Sequence, residues 1–203
     1  MKSDRKVHSQ HTLQHSESIM YSKNEQMALS LTQTSSSSLS FISSLAICIT
    51  MLRSENKLST AYRRIIFGMS VYDILMSLGM MFSTMATPKD TDGVWKPMGN
   101  QVTCSMQGFF VYIGTVGAPL YNFGLCIYYL CISRYGMRES VFTKKIEPYL
   151  HLVPCLYTIT TAVLFLARDL YHNRIGGFCF LSPYPRYCQE MPNVECERGL
   201  DYL

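Results

Sequence analysis

One carboxylate stands where carboxylates are rare. Asp73 is the single charged residue between positions 65 and 88. At the centre of a membrane-crossing helix an Asp disfavours insertion by about 2.5–3.5 kcal/mol, while each Leu, Ile, Phe or Val returns about 0.3–0.6. Ile65, Ile66, Phe67, Val71, Ile74, Leu75, Leu78 and Phe82 together offset roughly 2.4–4.8 kcal/mol. The acid is therefore tolerable if it faces protein. Such groups serve as ion ligands or proton carriers, and the plainer reading is a hydrogen-bond acceptor for a neighbouring helix. Arg134 ends a long uncharged stretch just before Tyr135, and on physics alone it reads as a snorkelling anchor. His151 lies in an apolar segment with no partner visible in the sequence. His8, His11 and His15 have no cysteine or acidic cluster beside them and read as part of a polar, disordered tail rather than a metal site. No G-x-S-x-G, H-E-x-x-H, P-loop or C-x-x-C pattern occurs. Catalysis is not expected, and no cofactor is implied.

The elements that must hold these residues follow from where the charges fall. Charged residues make up 16% of the chain and AVILMFWYC residues 48%, against roughly 25% charged in a typical soluble domain. The net charge of +4 is mild and forms no long basic stripe, so a nucleic-acid partner is not expected. A helix needs about 20 apolar residues to cross a bilayer. Four segments qualify, at about 32–52, 65–88, 106–133 and 148–167. The first is the weakest, because its leading half is mostly Ser and Thr. Those hydroxyls can bond a carbonyl one turn back, and Ser36, Ser40 and Ser44 give a small face for another helix. Pro119, Gly114 and Gly117 interrupt the third segment. The predicted fold is an all-α membrane bundle of four helices in contact with lipid. Residues 1–26 form a disordered external tail, 27–167 the transmembrane region, and 168–203 an external loop bearing cysteines.

Orientation follows the Lys/Arg excess in short loops. Residues 53–64 hold Arg53, Lys57, Arg63 and Arg64, and residues 134–147 hold Arg134, Arg138, Lys144 and Lys145. These two loops are expected to be cytoplasmic. Cysteine usage agrees. Cys48, Cys126, Cys131 and Cys155 fall within the spans, while Cys104, Cys179, Cys188 and Cys196 fall in segments assigned outside, where disulfides form. Four cysteines allow three connectivities. We favour Cys104 with Cys179, leaving Cys188 with Cys196, because the first bond would pin the tail over the outer mouth of the third span.

Taken in order, several stretches resemble the first four helices of the seven-transmembrane G-protein-coupled receptor family. Ser70-Val71-Tyr72-Asp73-Ile74-Leu75 resembles the second-helix stretch whose Asp holds sodium in that family. Trp95-Lys96-Pro97-Met98-Gly99 is similar to the tryptophan-bearing first outer loop ahead of the third-helix cysteine, here Cys104. Ser133-Arg134-Tyr135 resembles the D/E-R-Y motif at the G-protein face. Phe142 matches the apolar second-loop residue that enters the G protein. Phe178-Cys179-Phe180 resembles the outer-loop cysteine and its aromatic neighbours. The run from Lys57 through Arg63-Arg64 to Tyr72-Asp73 is most similar to the divergent receptor-like proteins of diatoms and related protists. So are Cys126-Ile127-Tyr128-Tyr129-Leu130 and Glu147-Pro148-Tyr149-Leu150-His151.

The resemblance implies a multi-pass plasma-membrane receptor that passes an extracellular ligand signal to a heterotrimeric G protein. It implies ligand entry near the Cys104–Cys179 staple with Phe109 and Tyr112, and a G-protein face at Arg134, Tyr135 and Phe142. There are departures. The first span lacks the family's Asn, Ser133 replaces the acid before Arg134, and the fourth span has no Trp. Ser133 cannot form the acid–arginine lock of that family's resting state, and losing the Asn removes a partner of the sodium-site acid. Helices five to seven are missing, so the chain reads as an amino-terminal half. The rival readings are a four-span structural or adaptor protein and a transporter fragment with Asp73 as carrier.

Overall fold

Ser22-Lys23-Asn24-Glu25 is a reciprocal capping box. The Ser22 hydroxyl accepts from the Glu25 amide at 3.3 Å, and Glu25 Oε2 accepts from the Ser22 amide at 2.8 Å. It starts helix α1, Lys23–Arg53, ahead of the expected position 32 and within the segment expected to be disordered. The computed structural model describes residues 22–55, 58–89, 91, 94–173 and 177–182, so residues 1–21 and the pair Cys188 and Cys196 lie outside the described residues. The Ser/Thr run stays helical by the predicted device. Ser35, Ser38 and Ser43 donate to the carbonyls of Leu31, Thr34 and Leu39 at 2.7–2.8 Å.

Helix α2 spans Ala61–Met81 with Thr60 as N-cap and gives way to a 3-10 turn, Ser83–Ala86. Helix α3, Gln101–Tyr129, starts at an Asn100–Thr103 capping box and ends in a π-helical turn, Leu130–Arg134. Helix α4, Glu139–Lys145, is short; helix α5 is Glu147–Ala167, with Pro148 in its first turn. Strands β1, Tyr171–Asn173, and β2, Cys179–Leu181, pair antiparallel with His172 opposite Phe180. The predicted all-helical picture therefore gains a small hairpin after the fourth long helix. Four helical stretches, Lys23–Arg53, Ala61–Met81, Gln101–Arg134 and Glu139–Ala167, are long and apolar enough to cross a membrane. This is the expected number, in the expected order.

The serine face of α1 is not the predicted one. Ser36 and Ser40 are exposed, and only Ser44 is buried. The packed stripe is Ser30, Ser37, Ser44 and Met51, with Phe41 and Cys48 beside it. At ~100° per residue a step of four drifts ~40° around the helix, whereas a step of seven drifts only ~20°. A contact sustained over several turns therefore follows the heptad.

Pro119 does not break α3, which runs on through it. The nearby glycines bring α2 and α3 together instead. A Cβ at Gly114 would lie 2.7 Å from the Tyr72 carbonyl, and one at Gly117 would enter the Tyr72 ring. Gly79 of α2 repeats this against Val111 of α3. Close approach through small residues is how helices associate where lipid supplies no hydrophobic drive. The resulting core is aromatic, with Tyr72, Tyr112, Tyr121, Phe142 and Tyr171 buried together.

Candidate functional site

The described residues carry polar groups at three levels of the bundle. At the disulfide end, Cys104 in the first turn of α3 is bonded to Cys179 at the start of β2, across a sequence separation of 75 residues. The expected staple is present. Its organiser is Gln107, one turn further along α3 and only 4% exposed. Its amide nitrogen donates to the carbonyls of Gly79 at 3.0 Å and Ser83 at 2.8 Å, and its oxygen accepts from the Cys179 amide at 2.9 Å. One side chain thus joins α2, the 3-10 turn and the hairpin. The Thr87 hydroxyl donates to the Gly177 carbonyl at 3.0 Å. Ser83, held at a left-handed φ of 41°, meets Ser30 of α1 at 3.2 Å and donates to Gln33 Oε1 at 3.1 Å. Sequence reading missed Gln107, because a lone glutamine in an apolar run has no motif.

Under the hairpin, Tyr171 is fully buried against Gly108, whose Cβ would fall 2.6 Å from its ring. Burial, with Tyr112 nearby, pushes the Tyr171 hydroxyl above the ordinary tyrosine range, so it stays neutral and donates to the Ala162 carbonyl at 3.2 Å. Tyr112 is buried, donates to Thr161 at 3.1 Å and packs edge-on to Phe165. Phe109 is half-buried and edge-on to Phe110. These two expected ligand residues are packing residues in this conformation. A cleft of about 340 Å³ opens elsewhere, between Leu78, Phe82 and Met85 on one side and Met98, Met106 and Phe110 on the other. Trp95 is half-buried on the adjoining loop, with the Lys96 ammonium 5.0 Å from its ring centre.

At mid-height, Asp73 is half-buried in α2 and makes no hydrogen bond or ion pair among the described residues. Asp73, Ser77 and Met80 follow one another at i, i+4 and i+7 on one helix stripe, and Met80 meets Gln33 of α1 at 3.0 Å. By this spacing Asp73 shares the α2 stripe that meets α1 at Met80. No group of three or more His, Cys, Asp or Glu suited to a metal occurs among the described residues.

At the opposite end, Arg134 closes the π-turn, exposed and without a hydrogen-bond or ion-pair partner among the described residues. Tyr135 beside it is 72% exposed. Phe142 differs from its expected outward presentation. It is fully buried, edge-on to Tyr128 with ring centres 5.2 Å apart. Between α2 and α5, Arg64 grips Glu147 with two nitrogens, Nη2 reaching Oε2 at 2.7 Å. His151 is not solitary; its Nδ1 lies 2.9 Å from the Tyr121 hydroxyl of α3. The spacing of four from Glu147 to His151 was the available signal, since it stacks the two on one helix face. No protein family, curated protein or solved structure matches this chain.

Proposed function

We propose that the chain is a membrane receptor of the seven-helix, G-protein-coupled type, taking an extracellular ligand at its disulfide end and signalling at its Arg134 end. The observation that carries this reading is the Cys104–Cys179 bond. It ties the start of the third long helix to the segment after the fourth, and the far end of that same helix presents Arg134 and Tyr135 outward. A helix covalently stapled at one end and exposing Arg134 and Tyr135 at the other is suited to a two-state rearrangement that a ligand and a partner bias from opposite sides. The basic loops around Arg64 and Lys144 support a cytoplasmic Arg134 end.

The test uses the product of the complete native transcript. Nucleotide exchange on heterotrimeric G proteins is measured in membranes carrying the native protein or Arg134→Ala. The reading expects exchange above that of empty membranes, and its loss in the variant. A transcript encoding no further apolar segment of span length would instead favour a four-span adaptor. Exchange unmoved by Arg134→Ala would reject the assigned G-protein face.

A further inference from the structure

Glu139, Thr143, Glu147 and His151 recur every fourth residue along α4 and the start of α5, and each reaches another helix. Glu139 Oε1 accepts from the amide of Ala61, the first residue of α2, at 3.0 Å. Thr143 accepts from Arg64 Nη2 at 3.3 Å. Glu147, 4% exposed, takes the Arg64 fork and sits 3.5 Å from His151 Nε2. His151 continues to Tyr121 of α3. Arg64 is itself fixed, since its Nη1 donates to the carbonyls of Leu58 and Ser59 at 2.7 and 3.1 Å. The stripe thus joins α2, α3 and α5 through one short segment.

What the stripe covers is apolar. Phe142, on α4 itself, is fully buried, and Cys131 is buried in the adjoining π-turn. A helix of seven residues cannot hold itself in water, so the place of α4 is set by these contacts. The hinge is present too. Gly136, between the π-turn and α4, has φ +61° and nothing within 4 Å of where a Cβ would be.

We propose that this stripe is an autoinhibitory clasp. Closed, it keeps Phe142 and Cys131 out of reach; released, it lets α4 swing about Gly136 and present Phe142 to a cytoplasmic protein. The contacts are linked because Glu147 takes the Arg64 fork and lies 3.5 Å from His151, and removing Arg64 leaves the Glu147 carboxylate buried and uncompensated. The clasp rests on the receptor reading for the identity of its partner and on the four-helix bundle for everything else.

The test is maleimide labelling of the full chain in detergent, read separately at the peptides bearing Cys131 and Cys48 by mass spectrometry. Both thiols are buried, and Cys131 shares the core cluster of Phe142 whereas Cys48 of α1 does not. Glu147→Gln is expected to speed labelling of Cys131 about tenfold, and Tyr121→Phe, which removes only the hydroxyl at His151, about threefold, with Cys48 unchanged. If Glu147→Gln does not fold, Tyr121→Phe decides alone. Native labelling at Cys131 in the folded variants, or a parallel rise at Cys48, would overturn the clasp. Failure of the receptor reading appears separately, as an opening clasp without any effect of Arg134→Ala on nucleotide exchange.

Discussion

Replacing Gln107 by Leu keeps the side-chain volume and deletes three hydrogen bonds at once. The carbonyls of Gly79 and Ser83 each lose a donor, at about 0.5–1.5 kcal/mol apiece. The Cys179 amide is worse off. The disulfide holds it against α3, so it cannot turn to water, and an unpaired buried donor costs about 1–3 kcal/mol. The sum is roughly 2–6 kcal/mol, about 4–24 °C in melting temperature for a chain of this size. Melting in detergent, followed by reaction of a fluorogenic maleimide with the buried thiols of Cys48 and Cys131, measures it. The mechanism also predicts coupling. In a background lacking the staple (Cys104→Ser with Cys179→Ser), the hairpin can lift and its amide can be hydrated, so Gln107→Leu should cost less there. A native-like melt for Gln107→Leu, or the same loss in both backgrounds, would refute Gln107 as the organiser of this end.

The glycines separate two causes. Gly117→Ala drives a methyl into the Tyr72 ring, which is confined by Tyr121 at 5.3 Å and by Thr158 at its hydroxyl, so a loss of about 1–3 kcal/mol is expected in thermal melts. Gly136→Ala meets empty space and loses only the left-handed backbone preference, about 1 kcal/mol by the same assay. Asp73→Leu removes a half-buried carboxylate with no partner among the described residues and should make insertion more favourable by about 3–4 kcal/mol. A glycosylation-mapping insertion assay reads this, and impaired insertion would show that the acid is held by the bundle. Ser22→Ala breaks the capping box and should cost about 0.5–2 kcal/mol, seen as faster amide exchange over residues 23–26.

Much of the architecture is legible because charge is scarce and clustered. Long uncharged runs bounded by arginines and lysines leave little choice about where long apolar helices form, and the four helices long enough to cross a membrane stand where those runs predict them. The cysteine split narrowed the staple to four cysteines with three connectivities, and the observed Cys104–Cys179 bond is one of those pairings. Helix starts were harder. The first turns of α1 are polar, so apolarity alone placed the start near position 32, although the Ser22–Glu25 box marks it by sequence. The serine face failed because a step of four looks helical over two turns yet winds away from a neighbour over five.

Local composition by itself determined how many helices are long enough to span, which cysteines could meet, and that Asp73 stands in apolar surroundings. These depend on transfer energies and short-range spacing, which a string of residues records directly. Only the tertiary structure decided that Gln107 gathers three elements, that Arg64 finds Glu147 83 residues away, that His151 meets Tyr121, and that Phe142 turns inward. Those outcomes depend on the distance and rotation between helices, fixed here by glycines that let α2 and α3 approach. A side chain's partner belongs to the pair of surfaces that meet, and no single helix carries that information.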